Sequence, residues 1–436
     1  MKFYDRKNEL TQLKEVECNS HNSGKMTFIV GRRRVGKTAL IREAYKKNKF
    51  IYFFVSKKNE SLLCEEFISE FETETQIKVF GIITTFKELF AYLLDVSKNY
   101  PFTLAIDEFQ GFERINNSIY SDMQNLWDRN KNTSKLNLVL CGSIYSMMKR
   151  IFENNKEPLF GRADKKINLK PFRVDTLKQI LKDHYQNYTA EDLLTFYIIT
   201  GGVAKYVELF INDKICKHNS IINYIFSPNS IFLEEGKNIL IEEFGKEYGT
   251  YFSILSLISN SKTSRSEIES ILEKNIGGYL DKLENEYSVI KKIKPILAKS
   301  TSRTQKYFIN DNFLNFWFRY IYKFRSAIEI ENFDLMRKVV KKDFRTYSGR
   351  FLEKYFVEKL VLSNDYSEIG TYWERKNLNE IDIVAVNDLY KKALIAEVKL
   401  NPDKISINNL KFKSKNLVSK LKGYDIEYKG FSLEDM

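Results

Sequence analysis

The fold of this chain is decided by one stretch, Gly31-Arg32-Arg33-Arg34-Val35-Gly36-Lys37-Thr38, which directly follows the apolar run Met26-Thr27-Phe28-Ile29-Val30. The stretch matches the pattern G-x-x-x-x-G-K-[ST] in full, between a predicted strand and a helix predicted to begin near Lys37. Its glycines allow a tight turn that presents backbone N–H groups to phosphate oxygens. Lys37 would reach the β- and γ-phosphates, and Thr38 would offer its hydroxyl to Mg²⁺. The stretch predicts a nucleotide site, with contacts from Gly31, Arg32, Arg34, Val35, Gly36, Lys37 and Thr38.

Composition and charge limit the class of protein. The 436 residues are too many for one ordinary core, so two or three globular domains are expected. The net charge of +13 favours an anionic partner, and nucleic acid is the commonest one. A merely solvated surface, reflecting a chain rich in Lys, Asn and Ile, is the alternative.

The cysteines show no C-x-x-C pairing, which predicts reduced thiols and no zinc site. The N-terminus lacks an apolar targeting segment, and no uncharged run approaches about 18 residues, so we expect a cytoplasmic protein without a membrane anchor.

A second apolar run, Phe102-Thr103-Leu104-Ala105-Ile106, ends in the acids Asp107 and Glu108. In a parallel sheet, ligands bind at the carboxyl ends of the strands, so an acid at that position faces the same crevice as the phosphate loop. Asp107 would hold Mg²⁺ through water, and Glu108 could polarise the attacking water. An ordinary acidic turn after a strand is the alternative.

Two further side chains follow predicted strands. The run 136–141 leads into Gly142-Ser143, where Ser143 could contact the γ-phosphate or its water. Arg162 lies in a loop before the strand-like Lys166-Ile167-Asn168-Leu169. It could stabilise the transferred phosphate in its own chain or in a neighbouring subunit. A salt bridge or a solvated arginine explains it equally well.

The phosphate loop, Asp107-Glu108, Gly142-Ser143 and Leu159-Phe160-Gly161-Arg162 together resemble the archaeal-type ATPases of the AAA+ and STAND-related group. The likeness covers about residues 1 to 235. Gly201-Gly202-Val203-Ala204-Lys205-Tyr206 looks like the lid motif of that group, with Ala204 where the family usually has Pro. The resemblance implies ATP hydrolysis with Mg²⁺, a helical lid over 173–240 and a chain that could act as a homo-oligomer.

Residues 245–310 predict three helices followed by two strand-like runs, 289–293 and 305–309, joined by 299–304. This order is typical of a winged helix-turn-helix. Acids on the third helix oppose phosphate contact, so DNA reading and a structural or protein-contact role both stay open. The aromatic run 311–320 predicts a core helix rather than a base-stacking surface, and it resembles the connector of the same ATPase group.

The last hundred residues predict a second chemical site. Glu397 and Lys399 lie two apart on a predicted strand, so their side chains leave the same face. Asp382 on a neighbouring strand would complete two carboxylates and one ammonium around one point, a site for Mg²⁺ or Mn²⁺. Lys399 could orient a water or neutralise charge on a phosphate. Glu353, in the preceding helix, could orient a second water or metal ion.

This arrangement resembles the PD-(D/E)XK nuclease fold, and specifically the nuclease-like domain that ends the archaeal-type ATPases. The match covers about residues 345–436 and departs from the motif at Ile381, where the family has Pro. An inactive or purely structural copy is the alternative. The lysine-rich tract 391–430 suits a phosphate backbone, and a solvated helix face explains it equally well.

The sequence therefore predicts an α/β protein: a P-loop NTPase parallel sheet with a helical lid, a winged helix-turn-helix, and a C-terminal α/β restriction-endonuclease-like domain. The predicted boundaries are 1–172, 173–240, 241–330 and 331–436. The predicted function is ATP hydrolysis coupled to metal-dependent cleavage of DNA. The rival hypothesis is a nucleotide switch whose C-terminal domain binds nucleic acid or protein without cleaving. A DNA-bound regulator that uses the winged helix is a third hypothesis.

Overall fold

The computed structural model of the chain describes residues 1–245, 248–299, 302, 304–374 and 378–436. Backbone contacts divide it into two compact units, Tyr4–Pro171 and Met1–Phe3 together with Phe172–Met436. The first unit ends beside the predicted boundary at 172, whereas the boundaries at 240 and 330 fall inside the second unit and stay predictions. Within the described ranges, the longest apolar helical stretches are all too short or too polar to cross a bilayer.

The first unit contains a five-stranded parallel sheet of order β2-β3-β4-β1-β5. Every residue of β3 and β4 is buried, because helices cover both faces of the sheet and an alternating pattern is then not needed. The parallel sheet predicted for a P-loop ATPase is confirmed. The strands are β1 Lys25–Val30, β2 Phe50–Phe54, β3 Phe102–Asp107, β4 Leu136–Cys141 and β5 Lys165–Asn168.

Two apolar layers sandwich this sheet. One is formed with α1 and α2 around residues such as Leu13, Ile29 and Leu40. The larger one, which includes Phe53, Phe67 and many other aromatic residues, lies on the opposite face. The helices are α1 Lys7–Ser20, α2 Lys37–Tyr45, α3 Glu60–Thr75, α4 Phe86–Asn99, α5 Phe112–Ile115, α6 Ile119–Asn130 and α7 Tyr145–Glu153.

The second unit opens with the helices predicted for the lid and then with a small helical and hairpin module. In that module, three helices precede β6 Ile290–Ile293 and β7 Lys306–Ile309, which pair antiparallel. This is the element order expected of a winged helix, and the assignment itself stays a prediction. The predicted connection 299–304 includes Ser300, Thr301 and Arg303, which lie outside the described residues. The helices are α8 Val174–His184, α9 Ala190–Thr200, α10 Ala204–Asn212, α11 His218–Ile225, α12 Ile231–Phe244, α13 Tyr248–Ser259, α14 Arg265–Leu272 and α15 Gly277–Asp281.

The aromatic run after β7 forms core, as the sequence predicts. It comprises α16 Asn312–Phe316 and a π-helical segment, Trp317–Tyr322. Phe313, Phe316 and Trp317 are all buried, which removes them as candidates for base stacking. A short helix, α17 Arg325–Glu329, then leads to the 31-residue α18 Phe333–Ser363.

A mixed four-stranded sheet of order β11-β10-β9-β8 ends the chain. β8 and β10 both pair antiparallel with β9, and β11 pairs parallel with β10 after a helical crossover. The residues facing the core include Val384, Ile395 and Leu417. The elements are β8 Glu368–Tyr372, β9 Ile381–Asn387, β10 Lys392–Lys399, α19 Ile407–Lys413, α20 Lys415–Val418 and β11 Asp425–Ser432.

Candidate nucleotide and C-terminal sites

The phosphate loop connects β1 to α2, and Gly36 stands immediately before the helix. Its φ of 100° is a conformation that residues with a Cβ rarely adopt. Lys37 is buried, and its ammonium donates to the carbonyl oxygens of Gly31 at 2.8 Å and Arg32 at 3.1 Å. Val35 is buried beneath the loop, and Arg34 has a left-handed φ of 66°. The loop thus curls around the lysine that is predicted to bind phosphate.

Asp107 lies at the end of β3 and is held by donors from three other elements. Its Oδ2 accepts from the hydroxyls of Thr38 on α2, at 2.8 Å, and Tyr52 on β2, at 2.5 Å. Its Oδ1 accepts from the thiol of Cys141, the last residue of β4, at 3.0 Å, and from the Glu108 N–H at 2.8 Å. The two predicted magnesium-binding side chains, Thr38 and Asp107, are therefore adjacent.

The same contacts keep Asp107 charged. Burial alone would raise the pKa of this carboxyl, but its four hydrogen-bond donors stabilise the ionised form and lower the pKa below its ordinary value. Burial raises the pKa of Cys141 well above the ordinary thiol value, and the negative charge of Asp107 raises it further. An ionised carboxylate beside a hydroxyl is a donor set that fits Mg²⁺.

Glu108, the predicted water activator, is linked to Ser143. Its backbone is left-handed, with a φ of 54°. Ser143 Oγ donates to Glu108 Oε2 at 2.7 Å, and Gln110 donates to the same oxygen through Nε2. The structure thus brings together two residues that were predicted separately. Gln110 was not predicted.

Arg162 is engaged elsewhere in the first unit. Its guanidinium donates to Asp128 Oδ2 on α6 through Nε at 3.2 Å and Nη2 at 3.0 Å, and to the Phe160 carbonyl through Nη1 at 2.9 Å. In the described part of the chain, no contact of Arg162 reaches the phosphate loop. The structure therefore contains the salt bridge that was the alternative explanation for Arg162. An action of Arg162 on the transferred phosphate stays a prediction.

The C-terminal candidate site lies where β9 and β10 stop pairing. The last paired residues are Ala396 and Ile383, and beyond them Asp382 Oδ2 accepts from the Val398 N–H at 2.8 Å. The Lys399 ammonium lies 3.1 Å from Asp382 Oδ2 and 3.5 Å from Glu397 Oε1. The three predicted residues therefore surround one point.

Glu397 is buried, and a close approach between the backbone segments beside it holds its carboxylate. Gly430 on β11 pairs with Glu397, and a Cβ at Gly430 would meet Ile405 Cγ2 at 2.4 Å. Because Gly430 has no side chain, the segment that contains Ile405 and Ser406 can approach β11. The Ser406 N–H then reaches Glu397 Oε2 at 3.1 Å. Lys413 on α19, which was not predicted, lies 3.9 Å from Glu397 Oε1.

The charged groups of this site shift one another's pKa values. Burial would lower the pKa of Lys399, but Asp382 and Glu397 raise it above its ordinary value. Burial and the charge of Asp382 raise the pKa of Glu353 to about 8. Among the described residues, no group of three or more His, Cys, Asp and Glu side chains is arranged to hold a metal ion. Glu353 thus interacts electrostatically with the predicted ligands without joining them.

The residues of the first site that were not predicted differ in the strength of their sequence signal. Cys141 and Gln110 lie within three residues of predicted positions, so a reading of both flanks of each strand end would have found them. Tyr52 is in the middle of a strand-like run and carries no local signal. Only its place on the strand next to β3 makes it a partner of Asp107.

Comparison with known proteins identifies the class of the first site. Residues 3–210 match the profile of a family described as an ATPase domain predominantly from Archaea. Residues 317–411 match a family described as archaeal and bacterial proteins of unknown function. An uncharacterized protein of Methanocaldococcus jannaschii is 29% identical over 414 residues, which span 91% of this chain and 87% of that protein.

A solved structure shares the fold. The Walker-type ATPase PABY2304 of Pyrococcus abyssi superposes with a TM-score of 0.55 over 72% of this chain and 96% of that one, at 19% identity. Residues 3–210 are therefore similar to archaeal ATPase domains, and their phosphate loop and parallel sheet are those of a P-loop ATPase. The prediction of an ATPase in the first part of the chain is confirmed at that level.

Proposed function

We propose that the chain hydrolyses ATP with Mg²⁺ and couples this turnover to a metal-dependent nuclease-type domain that acts on DNA. In the ATPase part, Lys37 would exchange its two carbonyl partners for the phosphates, and Thr38 and Asp107 would hold the metal ion. Glu108 orients the attacking water, and Ser143 positions Glu108 through their hydrogen bond. Bound Mg²⁺ supplies neutralising charge to the phosphate oxygens.

The nuclease proposal is carried by one observation, the convergence of Asp382, Glu397 and Lys399 at the divergence of β9 and β10. Two carboxylates provide the hard oxygen ligands that Mg²⁺ or Mn²⁺ prefers. The helix α18, the sheet order and the crossover to a parallel β11 are those expected of the PD-(D/E)XK fold. Lys399 would stabilise negative charge on the scissile phosphate, and Glu353 would hold a second water.

The proposed DNA partner is supported by the surface around that site. Residues 391–430 contain ten lysines. Within the described structure, only Lys399 and Lys413 among them form ion pairs with carboxylates, and both do so with the predicted metal ligands. The remaining ammonium groups have no such partner, which favours a polyanion over a self-neutralised surface.

A cleavage assay tests the nuclease proposal. Single-stranded, double-stranded and branched DNA are incubated with the full chain and Mg²⁺ or Mn²⁺, with and without ATP. Asp382→Ala and Glu397→Ala should lose cleavage while ATP hydrolysis continues. Lys399→Ala should lose cleavage but keep metal binding, since an ammonium is not a metal ligand. Asp388→Ala is the matched control, because this carboxylate lies in the turn between β9 and β10 and accepts hydrogen bonds from Ser367 and Tyr424 instead.

The second candidate function is a nucleotide switch whose C-terminal domain binds without cleaving. It is favoured by the position of the Lys399 ammonium, which already neutralises Asp382 and Glu397. A parent protein that cuts none of the DNA substrates, nor RNA, would establish this candidate in place of the nuclease. ATP-dependent change in DNA affinity would then be the activity to measure.

A further inference from the structure

Arg350 is a half-buried cation without a carboxylate partner in the described structure. Its guanidinium lies 5.5 Å from the ring centre of Phe308 on β7 and 5.3 Å from that of Phe351. Burial lowers the pKa of Arg350, which means that the fold holds this charge at a cost. The aromatic faces fix the side chain but do not neutralise it.

A second cation from the β6–β7 hairpin is close to this position. Lys291 on β6 pairs directly with Phe308, so both side chains leave the same face of the hairpin. The Lys291 side chain is exposed, although partial desolvation of its ammonium by packed neighbours lowers its pKa. The charge of Glu358 opposes this shift of the pKa, and that of Arg350 adds to it. In the described ranges, Lys291 has no carboxylate within ion-pair distance, so its ammonium and the Arg350 guanidinium approach one another without a direct counterion.

The neighbouring groups include a further cation and a carboxylate. The Lys354 ammonium adds a third cation and donates to the neutral oxygens Asn310 O at 2.9 Å and Asn312 Oδ1 at 2.6 Å. The Glu358 carboxylate accepts from the Tyr197 hydroxyl at 2.6 Å. Glu358 and Asp311 act on Lys354 electrostatically and offset part of the positive charge. Arg350 and Lys291 have no carboxylate within ion-pair distance in the described structure, and they are therefore suited to an external anion.

The position of Arg350 on α18 indicates which anion Arg350 and Lys291 would bind. Arg350 precedes Glu353 by three residues on α18, so both side chains lie on the same face of the helix. Glu353 interacts electrostatically with Asp382 and Lys399. We propose that Arg350 and Lys291 bind a phosphate group of the DNA backbone beside the C-terminal site, which makes the β6–β7 hairpin part of the DNA-binding surface. This inference rests on the proposed function, since it requires DNA at that site.

Arginine is suited to this role because its planar guanidinium donates two parallel hydrogen bonds to a phosphate. The test measures binding, in EDTA, of the full chain to a short fluorescein-labelled DNA duplex by fluorescence anisotropy over a salt series. Lys291→Ala and Arg350→Gln should each weaken binding by about tenfold and lower the slope of log K against log salt by about 1. Lys292→Ala is the matched control, because the neighbouring Lys292 pairs with Glu284 at 3.1 Å.

The outcomes separate this inference from the nuclease proposal. Equal affinities and slopes in Lys291→Ala, Arg350→Gln and Lys292→Ala would overturn the phosphate site, even if the parent cleaves DNA. If the parent never cleaves DNA but Lys291→Ala and Arg350→Gln still show lower slopes than the parent, the phosphate site is supported and the nuclease is removed. Circular dichroism reports whether Arg350→Gln folds. If it does not, the exposed position decides the matter: Lys291→Glu should bind at least about tenfold more weakly than Lys292→Glu.

Discussion

The hydroxyl of Tyr52 donates a hydrogen bond to Asp107 Oδ2 at 2.5 Å, across 55 positions of sequence. The contact exists because β2 lies beside β3, and Phe54, two residues after Tyr52, pairs with Asp107. The same oxygen also accepts from Thr38. If Thr38 turns to a metal ion when nucleotide binds, Tyr52 remains as the side chain that holds Asp107 Oδ2.

Replacement of Tyr52 by phenylalanine should therefore weaken the use of Mg²⁺. A hydrogen bond to a charged group is worth about 1.5–3 kcal/mol, which corresponds to about tenfold or more in an equilibrium constant. We expect Tyr52→Phe to require about tenfold more Mg²⁺ for half-maximal ATP hydrolysis. Tyr92→Phe is the control, because its hydroxyl faces the Lys78 carbonyl. The same Mg²⁺ requirement in both variants would contradict this role of Tyr52.

Substitutions of Lys37 and Glu108 should have different effects on ATP binding and hydrolysis. Lys37→Ala removes the charge that meets the phosphates, so both ATP binding and hydrolysis should be lost. Glu108→Gln keeps that charge and removes the water activator, so ATP binding should persist while hydrolysis falls by about 10²-fold or more. Binding of a fluorescent ATP analogue and phosphate release measure the two effects separately. Unchanged hydrolysis in Glu108→Gln would remove the role assigned to this acid.

The Arg162–Asp128 pair distinguishes a structural arginine from one that acts on phosphate. Asp128→Asn breaks the ion pair without removing the guanidinium, whereas Arg162→Ala removes both. If Arg162 acts on nucleotide, only Arg162→Ala should lose hydrolysis, and Asp128→Asn should keep it. A surface ion pair by itself is worth about 0–1 kcal/mol, so a purely structural pair predicts a small and similar loss of stability in both variants.

A neighbouring subunit could also be the target of Arg162. Mixing Arg162→Ala subunits with Lys37→Ala subunits should then restore part of the hydrolysis, since each supplies the group that the other lacks. Absence of recovery, together with a monomer in light scattering, would place any action of Arg162 within its own chain.

Lys354 should make the stability of the second unit depend on pH. Burial lowers its pKa from 10.5 to about 8. The unfolded chain thus binds more protons than the folded one between about pH 8 and 10.5, so stability should rise with pH across that window. Relative to Lys354→Met, the parent should gain on the order of 1 kcal/mol, allowing for partial solvent access. Urea unfolding midpoints of both proteins at several pH values measure this, and a constant difference would contradict it.

Much of the first site was predictable because its signals are local. The phosphate loop is contiguous, and Asp107 and Glu108 directly follow an apolar run, so the spacing along the chain is itself the motif. The link between Glu108 and Ser143 could be anticipated from parallel strands that end at the same edge. The left-handed backbone of Glu108 and the hydrogen bond from Gln110 are not revealed by sequence.

The sequence by itself determined the class of the nucleotide-binding domain and the positions of its five strands along the chain, because apolar periodicity and turn chemistry are properties of neighbouring residues. Tertiary structure alone decided the strand order that sets Tyr52 and Cys141 against Asp107. It also decided that Lys399 lies between Asp382 and Glu397, and that Arg350 meets a hairpin some 40–60 positions earlier in the chain. Such contacts join residues distant in sequence, and their geometry follows from sheet register and packing rather than from any local pattern.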